Sequence, residues 1–176
     1  MTGNLSRVSF HHFADDGRFP NSALPVVIYR SALLFEDASP EALEALFDGN
    51  GWSSQWRAGV YDYHHYHSTA HEALGVAAGR ARLQLGGPNG QSFEVAAGDI
   101  VVLPAGVAHR CLGADTDFIM VGAYPPGQEW DVLRGETGER PGADERIAAL
   151  PMPKTDPVGG QDGPLLSHWT AVKRTL

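Results

Sequence analysis

At 176 residues, 43% hydrophobic and 9% aromatic, the chain has the size and composition of one globular domain rather than of a disordered segment. Lys plus Arg number 13 against 21 Asp plus Glu, a formal net charge of −8 with no basic cluster, which argues against nucleic acid and anionic membrane surfaces as partners. The single cysteine, Cys111, excludes an intramolecular disulfide, no stretch approaches membrane-spanning length and the first residues lack an apolar segment, so a cytoplasmic protein is expected.

The 21 glycines and 12 prolines are spread through the chain, which suits short strands joined by turns. After an irregular start, Leu24 to Phe35 (LPVVIYRSALLF) is rich in β-branched and aromatic residues and predicts a strand. A short helix follows over SPEALEALFDG. Ser39 can cap it, Pro40 suits its first position, and Glu41 complements the positive end of the dipole. Leu43, Leu46 and Phe47 recur at helical spacing, and Gly49 can close the helix. From Gly59 to about Tyr124 the pattern changes to period two, with GVYDYHHYH, ALGVAA, ARLQL, QSFEV, DIVVLP and DFIMVGAY as predicted strands. GGPNG (Gly86 to Gly90) is a hairpin turn. Successive strands without intervening helices predict an antiparallel sandwich or barrel. From Glu129 the tail is polar and proline-rich, with one helical turn around ADERIAALP, and is expected to wrap the barrel or a neighbour.

The densest chemistry lies in HHYHSTAHE, His64 to Glu72, with four histidines and a glutamate in nine residues. Side chains two apart on a strand share a face, so His65 and His67 point one way with Tyr61 and Tyr63, while His64, Tyr66 and Asp62 point the other. In the next strand Glu72 shares parity with the bulky Leu74 and Val76, and His71 with the small Ala73, Gly75 and Ala77. Parity therefore sets Glu72 beside the histidine pair, with His71 as a reserve candidate if the turn over residues 68–70 shifts the register. Downstream, GDIVVLPAGVAH delivers His109 after a second turn, but composition alone does not bring His109 to His65.

Two separated segments resemble the motifs of the cupin superfamily. The first, G-x5-H-x-H-x4-E-x6-G, is matched by Gly59, His65, His67, Glu72 and Gly79. The second, G-x5-P-x-G-x2-H-x3-N, is matched by Gly98, Pro104, Gly106 and His109, with Gly113 in place of its final asparagine, a structural position rather than a ligand. The phrases HHYHSTAHE, LGGPNG, LPAGVAH, VGAYPPG and WD are further similar to the YjlB-type single-domain bacterial cupins. The resemblance implies an all-β double-stranded β-helix, a jelly-roll-like barrel, over one domain spanning 1–176, with its motif core at 59–113 and both extensions packing on the barrel or a partner. It also implies a divalent metal (iron, manganese, nickel, zinc or copper) held by His65, His67, Glu72 and His109. Without a metal, three buried histidines and an acid would be poorly satisfied polar groups.

The remaining residues have blander readings. His64 and His71 are more often bystanders, or partners that orient a ligand. Cys111 shares a face with His109 but is more often a small buried hydrophobe. Tyr61, Tyr63, Phe118, Met120 and Tyr124 read as core before pocket. His11, His12 and His168 lie outside the motifs, and Arg57, Arg82 and Arg110 read as solvated rather than as anion anchors. Cupins span many reactions, so fold does not imply function. Two classes stand: a metal-dependent enzyme on a small molecule, oxygenase-type first, with Glu72 as a candidate base and isomerase or decarboxylase chemistry as further options; and a non-catalytic metal or small-ligand binding protein. No nucleotide loop or catalytic triad spacing competes. Exposable sheet edges and long extensions predict a homodimer.

Overall fold

The computed structural model describes residues 3–173. Among them are nine strands: β1 (Val8–Phe13), β2 (Ser22–Tyr29), β3 (Ser53–Ala58), β4 (Glu72–Ala78), β5 (Arg80–Leu85), β6 (Gln91–Ala96), β7 (Ile100–Leu103), β8 (His109–Ala114) and β9 (Ile119–Tyr124). Three α-helices accompany them: α1 (Pro40–Gly49), α2 (Gly142–Ala149) and α3 (Pro164–Lys173). All pairings are antiparallel, in a six-stranded sheet of order β1-β2-β7-β4-β9-β3 and a three-stranded sheet of order β6-β5-β8. Strands far apart in the chain thus lie side by side, as the expected all-β double-stranded β-helix requires. No helix among the described residues is long and apolar enough to cross a membrane.

The central strands of the large sheet are buried on both faces, which explains the apolar runs of β2 and β7. Its inner face, with Val26, Ile28, Leu74, Val76, Val101 and Met120, packs against Leu83, Leu85 and Val95 of the small sheet. Its outer face carries Val27, Tyr29, Ala73, Ala77, Val102 and Ala123, covered by Leu43, Leu46 and Phe47 of α1 and by Leu165 and Trp169 of α3. The small parity side of β4 is therefore not exposed; it is small because α1 lies on it. Burying α1's three apolar side chains contributes roughly 1.5–3 kcal/mol each. Ser39 caps that helix, its hydroxyl oxygen accepting the Ala42 N–H at 3.1 Å.

Four sequence expectations need correction. The strand expected over Leu24 to Phe35 ends at Tyr29: Ser31 turns the backbone to φ 51°, and its N–H is taken by the Asp99 carboxyl group at 2.9 Å. The irregular start contains β1, paired to β2 from Val8↔Tyr29 onward, its signal obscured by the polar His11 and His12. The strand expected over Gly59 to His67 is an irregular crossing. Ala58 ends β3 opposite Met120, and regular pairing resumes only as single bridges, His65↔His109 and Tyr66↔Leu133. Finally the tail folds into α3 as well as the expected turn near α2, and Trp169 donates its indole N–H to the Pro25 carbonyl at 2.9 Å.

Candidate metal centre

His65, His67 and His109 are buried, 3%, 5% and 3% exposed, and one ring nitrogen from each lies within 4.8 Å of the others. Two local devices aim them. The irregular crossing places His65 opposite His109, each residue's N–H bonded to the other's carbonyl (3.1 and 2.9 Å). Before His109 the chain turns at Gly106, at φ 98°, where a Cβ would meet the Asn21 carbonyl oxygen at 2.2 Å; only glycine fits both constraints.

Each imidazole gives its Nδ1–H to a backbone carbonyl: His65 to Tyr63 at 3.2 Å, His109 to Val107 at 3.0 Å, and His67 to Asp131. A carbonyl only accepts, so Nδ1 carries the proton and Nε2 keeps a lone pair facing the cluster. Glu72 faces the same point, its Oε2 3.3 Å from Nε2 of both His67 and His109. Despite that proximity, His67 Nε2 and Glu72 Oε2 are buried and without a hydrogen-bond partner among the described residues. The other carboxylate oxygen, Oε1, accepts the Tyr124 O–H at 2.5 Å, and Tyr124 in turn accepts the Trp56 indole N–H at 2.7 Å. Converging acceptors with nothing between them fit a cation.

The electrostatics agree. Burial, with the neighbouring His109 and His67, lowers the His65 pKa to about 2, which keeps it neutral. Burial also disfavours charge on His67, but the facing Glu72 carboxylate outweighs it and raises the His67 pKa. Burial would raise Glu72, yet His67 and His109 hold it well below the usual carboxylate range. The shifts of His67 and Glu72 report a carboxylate that favours positive charge beside it, as a proton or as a metal ion.

A cavity of about 290 Å³ opens above this floor. Tyr61 and Tyr124, expected as core, line it, together with Trp56, Trp130 and Val132. Met120 is buried core, Phe118 packs beside it, and Tyr63 stacks on Tyr61 at 4.8 Å. The structure turns His71 away from the cluster: its Nδ1 accepts the Ala105 N–H at 2.9 Å and its ring lies 4.9 Å from that of Trp169. His64 lies by Phe19, ring centroids 5.6 Å apart, with its pKa lowered by burial and by Arg110 and Arg18. Cys111 is partly buried against the inner core and does not line the cavity. Arg57 bonds Glu44 and Glu41 of α1, Arg110 donates to Gln84 at 2.9 Å, and Arg82 is exposed. His168 stacks on Phe10 at 3.6 Å, His11 lies edge-on to Phe93, and His12 is exposed.

Sequence reasoning missed Trp56, Trp130 and Asp131. Trp130, Asp131 and Val132 reach the site because the whole segment from Gln128 to Leu133 is laced to residues 66–71. The Gln128 side chain accepts the His71 N–H (3.0 Å), the Glu129 carbonyl accepts the Thr69 hydroxyl (2.6 Å), and Tyr66 and Leu133 exchange backbone bonds (2.9 and 3.0 Å). Asp131 accepts from the Ser68 N–H and hydroxyl at 2.6 and 2.5 Å. The dipeptide WD carried no period or spacing that would mark this role.

The sequence matches the Cupin domain family over residues 55–121. "Uncharacterized protein YjlB" of Bacillus subtilis (strain 168) is 40% identical over 160 residues, covering 90% of this chain and 94% of that protein. Among solved structures, one mutant of Bacillus subtilis oxalate decarboxylase is 18% identical over 64% of this chain and 28% of that chain, with a TM-score of 0.36. Another form of the enzyme is 17% identical over 76% of this chain and 31% of that chain, with a TM-score of 0.36. This chain therefore spans less than a third of the length of that enzyme.

Proposed function

The chain belongs to the cupin family, in the group of YjlB, and from that premise we propose that it is a metal-dependent enzyme acting on a small molecule, with oxygenase-type chemistry. His65, His67, Glu72 and His109 would hold a divalent iron, manganese, nickel, zinc or copper ion, the metals that imidazole with carboxylate suits. What carries the reading is the buried, unpartnered pair of acceptors, His67 Nε2 and Glu72 Oε2, at the centre of the histidine cluster. A bound ion supplies Lewis acidity and, when redox-active, access to dioxygen chemistry. The chain's own residues then bind and orient. Three nitrogens and one oxygen would leave such an ion able to take up water or a small molecule as well, Tyr124 fixes the Glu72 carboxylate through Oε1, and exposed Tyr61 and Trp130 flank the mouth.

Elemental analysis of protein purified without added metal tests this. One divalent metal per chain is expected, and a screen for oxygen consumption with that metal then identifies turnover. Protein that binds no divalent ion at any tested concentration rejects the reading. A second reading, non-catalytic metal or small-ligand binding, draws on one observation: among the described residues no lysine, histidine or carboxylate beyond the four donors lines the cavity. Stoichiometric metal with no turnover across the screen would favour it. We further propose one domain spanning the chain, paired as a homodimer in the cytoplasm. β1 and β3 leave unpaired sheet edges, and Leu34 and Phe35 are 56% and 60% exposed. The lone Cys111 suits a reducing compartment. Light scattering that reads a monomer at micromolar concentration rejects the dimer.

A further inference from the structure

The cavity has two ends of opposite chemistry. Its titratable histidines and its carboxylate, His65, His67, His109 and Glu72, converge on one point, the floor, while Trp56, Val60, Tyr61, Leu74, Trp130 and Val132 supply most of the remaining lining. Among the described residues no lysine or arginine lines it, and Glu72 is its one carboxylate. The polar hydrogens nearest the floor are already committed, Trp56 N–H to Tyr124 and Tyr124 O–H to Glu72. Arg57, beside Trp56 in the chain, is drawn the other way by Glu41 and Glu44 at 2.8 and 2.6 Å. At the mouth the rings are stacked in pairs that hold flat faces in place, Tyr124 on Trp130 (4.5 Å, 7°) and Tyr61 on Tyr63 (4.8 Å, 15°). Tyr61, Trp130 and Val132 nevertheless stay 52%, 39% and 41% exposed, an apolar rim of the kind that marks a binding groove.

We infer that this cavity selects a small, flat, apolar molecule, an aromatic ring with a single oxygen-bearing head directed at the floor, and disfavours compact dianions. The inference rests on the metal reading above and deepens it to a substrate class. A divalent ion beside the Glu72 carboxylate leaves one positive charge, which a neutral or singly charged head matches. A dianionic head would leave the floor with a net negative charge and no lysine or arginine in the lining to balance it, and an uncompensated charge in a buried site is costly. The ring, by contrast, gains contact with preorganised aromatic surface.

Two hydroxamates share one chelating head and differ only in a ring against a methyl group. Calorimetric titration of zinc-loaded protein should bind benzohydroxamate at least about tenfold more tightly than acetohydroxamate, from the added apolar burial. Oxalate should be the weakest of the three, and Trp130→Ala should cut the ratio between the hydroxamates severalfold. Equal affinity for the two hydroxamates, or oxalate binding more tightly than benzohydroxamate, overturns the inference. Zinc content of the same samples keeps the two readings apart. Protein that takes up no zinc refutes the metal centre alone. Ring selection is then read by saturation-transfer NMR with phenol against acetate: a phenol signal that Trp130→Ala removes supports it, and no phenol signal from the wild type overturns it.

Discussion

The two histidines that open the run at His64 differ in what they face, and that difference is measurable. His65 and His67 turn Nε2 lone pairs to the same point as Glu72, while His64 lies beside Phe19. His67→Ala should lower metal affinity at least about 100-fold, beyond the loss typical of an outer partner, whereas His64→Ala should leave metal content near wild type, both read by elemental analysis after dialysis. Metal lost in His71→Ala but kept in Glu72→Ala would overturn the register assigned to the β4 start. Tyr124→Phe is subtler. It removes the O–H that holds Glu72 Oε1 at 2.5 Å and leaves the donors themselves intact, so metal affinity should fall about 10-fold with little change in fold. Parity in the sequence set Glu72 apart from His71, because alternation along a strand is a local property. Trp56, Trp130 and Asp131 were invisible to it, since each reaches the site through contacts made only after the chain folds back.

At the scale of elements, legibility followed the same divide. Helix α1 was readable from Ser39, Pro40 and its apolar spacing, and β4 to β7 and β9 from period two and glycine turns, while β8 showed only through the turn that delivers His109. The crossing over residues 59–71 was not, because its alternation serves two separate bridges instead of a ladder. Strand β3 went unread because SSQWRA alternates weakly, and its partner β9 is far away in sequence. That pairing is tighter than side-chain patterns reveal. A Cβ on Gly122 in β9 would meet the Trp56 ring of β3 at 2.1 Å, and the rigid indole could yield only by moving as a whole. Gly122→Ala should therefore destabilise the protein by about 1–3 kcal/mol through overpacking, read as a lowered denaturation midpoint. It should also weaken metal binding, because the displaced indole loosens the bond from Trp56 to Tyr124 that steadies Glu72. A destabilised variant with unchanged metal affinity would separate the β3–β9 contact from the site.

Across the whole molecule, two of the attachments made by the tail from Gln128 have different consequences. One is the lacing of residues 128–133 onto the histidine run, where the Asp131 side chain grips Ser68 and its carbonyl accepts the His67 Nδ1–H. The other is Asp156, fully buried at the outer face of the large sheet. Its carboxyl group accepts the Tyr29 hydroxyl at 2.5 Å and the N–H groups of Val158, Gly159 and Leu165 at 2.8, 3.0 and 3.0 Å. Those bonds pin the start of α3, and with it Trp169, against the core. Asp156→Ala leaves four buried donors without their acceptor, so it should cost about 3–5 kcal/mol and lower Tm by roughly 10 °C. Metal affinity below the transition should hold, because no bond of Asp156 reaches the histidines. Asp131→Ala should do the reverse: its side chain is partly exposed, so the change costs less stability, yet it frees the segment whose carbonyl fixes the His67 tautomer, so metal affinity falls. Calorimetric melting and metal titration of both variants check the pair. Parallel losses in both variants would mean that the tail acts as one unit, and that the site is held by global packing rather than by the strap beside it.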